Sequence, residues 1–188
     1  MTFLAASPLW YLSRGSGVVS LLLLTVAVLL GVASVRRWSA RRLPRFVVAG
    51  LHRNVTLLAV VFVCVHVLTA VADGYVPIRL VDAFVPFVSR YRPVWLGLGA
   101  LAFDLVLALI ASSLLRRHLG RRAWRSMHWL AYVCWPLALA HGLGTGGDFG
   151  AGWMKILTAV CAAAVLVAVA WRLALDRPRT GTVSVDSA

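Results

Sequence analysis

Five histidines are spread over the 188-residue chain, and four of them lie inside long apolar runs. His52 and His66 share one run, and His128 and His141 share another. An ionisable side chain in such a run marks a functional site by default. A single buried histidine is more often a hydrogen-bonded packing residue, but four in two pairs point toward ligation. The pairs are spaced 14 and 13 residues apart. At about 1.5 Å rise per residue, the members of each pair stand roughly 20 Å apart along a helix. Fourteen residues fall about 40° short of four full turns, so His52 and His66 share a helix face. Thirteen fall about 140° short, so His128 and His141 do not share one on an ideal helix. Pro136 lies between them, where a kink or rewinding has a physical cause.

The elements that must position these rings are membrane helices. The chain is 61% apolar and 13% charged, with a mean hydropathy of +0.87. Apolar runs near 17–35, 46–72, 94–115, 124–143 and 153–171 are each about long enough to cross a hydrocarbon core. Backbone polar groups in lipid need partners within their own segment, so these runs are helices. The expected fold is an all-α integral membrane bundle of about five transmembrane helices. There is no room for a separate soluble domain.

The formal charge of +13 does not mark a nucleic-acid surface. The cations stand in blocks at alternate ends of the apolar runs, following the positive-inside pattern. Arg36, Arg37, Arg41, Arg42, Arg45, Arg116, Arg117, Arg121, Arg122, Arg125, Arg172, Arg177 and Arg179 fall on one side, thirteen in all. Arg14, Arg79, Arg90, Arg92 and Lys155, five in all, fall on the other, and Arg53 lies within a run. That asymmetry places the N-terminus outside and the C-terminus inside. The second and fourth spans then run parallel. His52 and His128 sit near the inner face, and His66 and His141 near the outer. Imidazole is an axial ligand for haem iron, and facing helices of a bundle build cofactor sites. Two stacked bis-histidine haems follow from this placement. Zinc or copper fits less well. The pairs are too far apart for one four-histidine site, and neither pair has a carboxylate or thiol beside it.

The remaining features frame these spans. Gly17–Val35 reads as a retained anchor rather than a cleaved signal, since Arg36-Arg37 follow it. Pro8-Leu-Trp-Tyr11 precedes it as part of an interfacial aromatic belt. The stretch Val76–Pro93, broken by Pro77 and Pro86, predicts a short interfacial element on the outer face. Cys64, Cys134 and Cys161 form no spaced framework and read as packing residues. His118, in an inner basic turn, reads as solvated. Residues 176–188 predict a disordered cytoplasmic tail.

Leu51-His-Arg-Asn54 onward to Val65-His66, and Trp124-Arg-Ser-Met-His128-Trp-Leu-Ala-Tyr132 onward to Ala140-His141-Gly142, resemble the ferric reductase-like transmembrane domain. That family includes the membrane cores of NADPH oxidases and ferric reductases. It also includes the haem subunit of the bacterial periplasmic methionine sulfoxide reductase system. Its mark is two histidine pairs at these two unequal spacings. The resemblance covers about residues 10 to 175, and residues 1–175 are taken as one haem domain. It implies two b-type haems, the inner held by His52 and His128, the outer by His66 and His141. It further implies an oxidoreductase component of a bacterial plasma membrane, passing electrons outward. No glycine-rich dinucleotide fingerprint follows the last span. The resemblance is therefore to haem-only members. These take electrons from a separate donor, a quinol or a flavoprotein, and pass them to an extracytoplasmic acceptor or reductase subunit.

Haem propionates are anionic and favour arginine. Arg53 and Arg125 are the candidates at the inner haem, and Arg79, Arg90 and Arg92 at the outer. Lipid-headgroup anchoring is the competing role for each. Asp104, an acid in mid-span, is costly there; it pairs with Arg53, stays neutral, or moves a proton. Rival readings are a haem-free scaffold, a proton-relay or transport subunit, and a protein that handles haem transiently.

Overall fold

The computed structural model describes residues 7–35, 44–74, 76–145 and 152–175, and every regular element among them is helical. In chain order these are α1 (Pro8–Val35), α2 (Arg45–Ala72), α3 (Val81–Phe84), α4 (Pro93–Leu114), α5 (Arg116–His128), α6 (Ala131–Thr145) and α7 (Gly152–Leu175). Arg36, Arg37, Arg41 and Arg42, expected on the inner side, and the expected tail from Asp176 lie outside the described residues.

Among the described residues, four helices are long and apolar enough to cross a membrane: Pro8–Ser34, Phe46–Ala72, Pro93–Leu114 and Gly152–Ala174. The first begins well before the expected Gly17. Ser7 caps it, its Oγ accepting the Trp10 N–H at 3.0 Å, and Pro8 supplies a φ already suited to the first turn. The Ser7 hydroxyl also donates to Asp73, at the end of α2, and so ties the two helix ends together.

The expected fourth span, Trp124–Leu143, is not one helix. It is divided between α5 and α6 at Trp129 and Leu130. Around this joint the N–H groups of Trp129, Leu130, Tyr132 and Val133 bond three residues back, at 3.0–3.2 Å. The cause lies one turn ahead. Pro136 has no N–H to give the Tyr132 carbonyl, and its ring crowds that carbonyl. The chain relieves this by tightening into 3₁₀ winding. At about 120° per residue instead of 100°, these four residues gain roughly 80° of rotation. That gain reduces the 140° shortfall between His128 and His141 to about 60°, close to the roughly 40° for His52 and His66.

Packing is sparse, as expected of a bundle whose outer surface meets lipid. Ala102, Val106 and Cys134 form one buried cluster between α4 and α6. Trp135, Cys161 and Val165 form another with apolar residues of α1. The Trp135 indole N–H donates to Thr25 Oγ1 at 2.9 Å, joining α6 to α1. Serines and threonines within the helices return their hydroxyls to their own backbones, as Ser20 does to the Ser16 carbonyl.

The short element predicted over Val76–Pro93 is present. α3 and its flanks pack on the start of α4, and Phe87 and Arg92 take positive φ values of 68° and 42°. Its polarity is inverted. Leu80, Val81, Phe84, Val85, Phe87 and Val88 are exposed, whereas Asp82 is only 3% exposed and Ser89 is also buried. An apolar face exposed over a buried acid fits an interfacial element. Asp82 accepts from the Arg79 guanidinium at 2.8 Å and from the Arg79 backbone N–H at 3.0 Å. These bonds hold its carboxyl below the usual carboxylate range, the guanidinium contributing most. A depressed carboxylate stabilises the fold above its unfolded value and loses that contribution as pH falls through the folded value. The protection of residues 76–92 in hydrogen exchange should therefore persist below about pH 4 and fail only at lower pH. Asp82→Asn should weaken it at neutral pH and flatten the pH dependence.

Candidate functional site

The four histidines meet as two pairs at two levels. Toward the α5 end of the bundle, the His52 and His128 rings are 6.2 Å apart between centroids, with planes at 71°. Toward the α3 end, the His66 and His141 rings are 6.1 Å apart, at 79°. The pairing expected from depth is the pairing observed.

Three of the rings are fixed by one device. His52 Nδ1 meets the Ala27 carbonyl at 2.9 Å, His66 Nδ1 the Ser13 carbonyl at 2.7 Å, and His141 Nδ1 the Trp95 carbonyl at 2.9 Å. A carbonyl only accepts, so Nδ1 donates and Nε2 keeps its lone pair. This is the tautomer of a metal-ligating imidazole, oriented and made more basic by its outer hydrogen bond.

Each acceptor carbonyl lies four residues before a glycine: Ser13 before Gly17, Ala27 before Gly31, Trp95 before Gly99. At Gly99 and Gly17 the absent Cβ is what makes the approach possible. A Cβ at Gly99 would stand 2.4 Å from the His141 Nδ1, and one at Gly17 would stand 3.0 Å from the His66 ring. At Gly31 the closest approach, to His52, is 3.4 Å. None of these glycines figures among the residues singled out from sequence. Their signal was available, because Gly17 and Gly31 repeat the fourteen-residue interval of His52 and His66.

His128 differs. Its Nδ1 is buried and has no hydrogen-bond partner among the described residues. Its ring instead stacks on Trp124, with centroids 5.0 Å apart and planes at 26°. The Arg116 guanidinium lies 4.5 Å over the far ring of that stack. Arg172 of α7 lies 4.3 Å over Trp129 and donates to the Tyr132 hydroxyl.

A cavity of about 530 Å³ opens beside His66 and His141. Its walls are mainly apolar, including Leu96, Phe103 and Val106, with Arg14 and Arg92 also lining it. Arg92 donates to the Gly144 carbonyl at 2.6 Å, and Arg14 lies 4.4 Å over Trp10. Arg14 was not a sequence candidate for this site. Its position one residue after the Ser13 anchor is the clue. Of the outer arginines that were, Arg92 reaches the cavity, while Arg79 is occupied by Asp82 and Arg90 is exposed. Arg53 and Arg125 are exposed beside His52 and one turn before His128. Asp104 is half-buried on α4 and makes no ion pair with Arg53 among the described residues. His118 is exposed.

The donor sets fit haem. No three histidine, cysteine or acidic side chains gather among the described residues, so each site offers two nitrogens. Metal–imidazole bonds are about 2.0 Å, which puts two rings on opposite sides of one ion roughly 6 Å apart between centres. Both pairs have that separation.

Fold and site together define a helical membrane bundle that presents two stacked pairs of imidazoles. The chain belongs to the ferric reductase like transmembrane component family, whose match spans residues 16–143 and takes in all four histidines. No curated protein and no solved structure matches it.

The glycine contacts rank the cost of adding a methyl group. Gly99→Ala should destabilise the detergent-solubilised protein by about 1–3 kcal/mol, the range for overpacking. Gly31→Ala, with 3.4 Å of clearance, should cost clearly less. Thermal unfolding of the two variants tests the order.

Proposed function

We propose that this chain is a transmembrane electron conduit that holds two b-type haems. His52 and His128 would ligate the inner one, His66 and His141 the outer one. The observation that carries this reading is the fixed tautomer. Three imidazoles donate through Nδ1 to a neighbouring helix and so turn an unprotonated Nε2 to the metal side. Packing alone does not require that the rings also come in pairs at the separation of two axial ligands. Family membership points the same way.

Haem, when bound, supplies the one-electron couple. The chain's own residues do the rest. The carbonyl anchors orient the imidazoles, and the apolar walls of the cavity exclude water. Arg14 and Arg92 stand where they can neutralise propionates of the outer haem. Arg53 and Arg125 are the sequence candidates for the inner one. The α3 end faces outward in this reading, with the N-terminus outside, the C-terminus inside and about five crossings, α5 and α6 together making the fourth. The membrane is a bacterial plasma membrane. Electrons enter from a quinol or a flavoprotein and leave to an extracytoplasmic acceptor or reductase subunit, so the chain is one component of an oxidoreductase.

An absorption spectrum of the purified protein, oxidised and then dithionite-reduced, tests this directly. The expected result is two low-spin b-type haems per chain, falling to about one in His66→Ala and in His128→Ala. Folded protein that carries no haem, expressed with ample haem supply, would leave a scaffold or proton-relay role instead.

A further inference from the structure

We propose that Arg172 is a positioning residue for the inner centre: its guanidinium, reaching across from α7, clamps the Trp129–Tyr132 turn and so holds the His128 ring in place. The inference rests on the two-haem reading above.

His128 needs a different hold from the other three ligands. His52, His66 and His141 are each tied to a carbonyl of a neighbouring helix. His128 Nδ1 has no such bond among the described residues. His128 is also the last residue of α5, a helix with no fully buried residue. The arm that carries the ring is irregular at both ends. Gly120 leaves helical geometry, with φ 72° and ψ 163°, and the tight winding begins at Trp129. The Arg116 contact with Trp124 and the stack of Trp124 on His128 lie wholly within α5. Such contacts stiffen the arm without fixing where it sits in the bundle.

Arg172 supplies a contact from outside. It stands in the last turn of α7 and is half-buried. Its guanidinium lies 4.3 Å from the ring centre of Trp129 and 5.1 Å from that of Tyr132, and it donates to the Tyr132 hydroxyl. The two rings are themselves 5.2 Å apart. Trp129 directly follows His128, and Tyr132 belongs to the tightly wound stretch. The charge of Arg172 also acts on the His128 ring. A planar guanidinium can lie on an aromatic face and still donate from its edge. An ammonium is a point charge without that fork.

The consequence is local to one centre. Releasing the turn lets His128 shift at the joint, while His66 and His141 stay tied to the Ser13 and Trp95 carbonyls.

Arg172→Gln removes charge and fork, Arg172→Lys keeps the charge and loses the fork, and Tyr132→Phe removes only the hydroxyl. Hydrogen exchange would be followed over residues 128–133 in the detergent-solubilised protein. Electron paramagnetic resonance of the haem-loaded protein would report on the axial imidazoles of each centre. The expected result for Arg172→Gln is about tenfold faster exchange at these amides. One of two low-spin signals should shift or broaden, and the other should stay unchanged. Arg172→Lys should resemble Arg172→Gln, and Tyr132→Phe should show the same changes in smaller measure. In a His141→Ala background, which retains the inner centre, Arg172→Gln should move the remaining signal. Unchanged exchange and signals in Arg172→Gln, or in Tyr132→Phe if that variant alone folds, would overturn the proposal. Unaltered behaviour of Arg172→Lys would overturn it in favour of charge alone, and equal disturbance of both centres would overturn it in favour of general packing. If the unmodified protein holds no haem, the two-haem reading fails, and exchange at the joint still decides whether the clamp exists.

Discussion

The hydrogen bond from a histidine Nδ1 to a carbonyl of the neighbouring helix is the constraint from which most of this structure follows. A helical carbonyl already accepts its own N–H from four residues ahead, but its second lone pair is available. A Cβ over that lone pair would collide with the ring at Gly99, crowd it at Gly17 and merely touch it at Gly31, and the residue four ahead is glycine at all three. The bond then dictates three things together: which helices lie side by side, in what register, and which nitrogen of each ring remains free. In a membrane, where burial of apolar surface gives helices little reason to associate, such bonds and the close approach they require take on much of the task of defining the bundle.

The second constraint is angular. Two rings on α2 fourteen residues apart need partners that also share a face, yet the partner rings are thirteen apart. A continuous α-helix would have sent His128 and His141 to different sides. The tight winding ahead of Pro136 eases that conflict by breaking the helix into α5 and α6, while the stack of Trp124 on His128 is an i, i+4 contact within α5. The joint therefore reconciles an unequal spacing with an equal geometry.

Much of this was legible in the sequence. The apolar runs gave the helices, and depth along them paired His52 with His128 and His66 with His141. Pro136 was recognisable as the source of a local irregularity, but not the form it takes, because hydropathy is blind to which carbonyl an N–H selects. The apolar run from Gly17 does not mark the start of α1, because Ser7 and Pro8 carry the capping chemistry ahead of it. The arginines were the hardest to place. Arg53, Arg79, Arg90, Arg92 and Arg125 are equivalent by type, and only the fold shows that Arg79 is spent on Asp82 while Arg92 and the overlooked Arg14 face the cavity. The glycines become legible only against the histidines of another helix, since Gly17 and Gly31 repeat the His52–His66 interval.

The two anchors on α1 have a mechanical consequence. They join α1 to α2 at points about 21 Å apart along the axis, and the Ser7–Asp73 bond adds a third rivet near one end. Sliding one helix along the other, or splaying them, shears several of these attachments together. The pair therefore behaves as a strut rather than a hinge. When the surrounding bilayer thickens or thins, the low-cost response is for the strut to tilt as a body or for the lipid to deform around it, while the vertical gap between the two imidazole levels is left as it was.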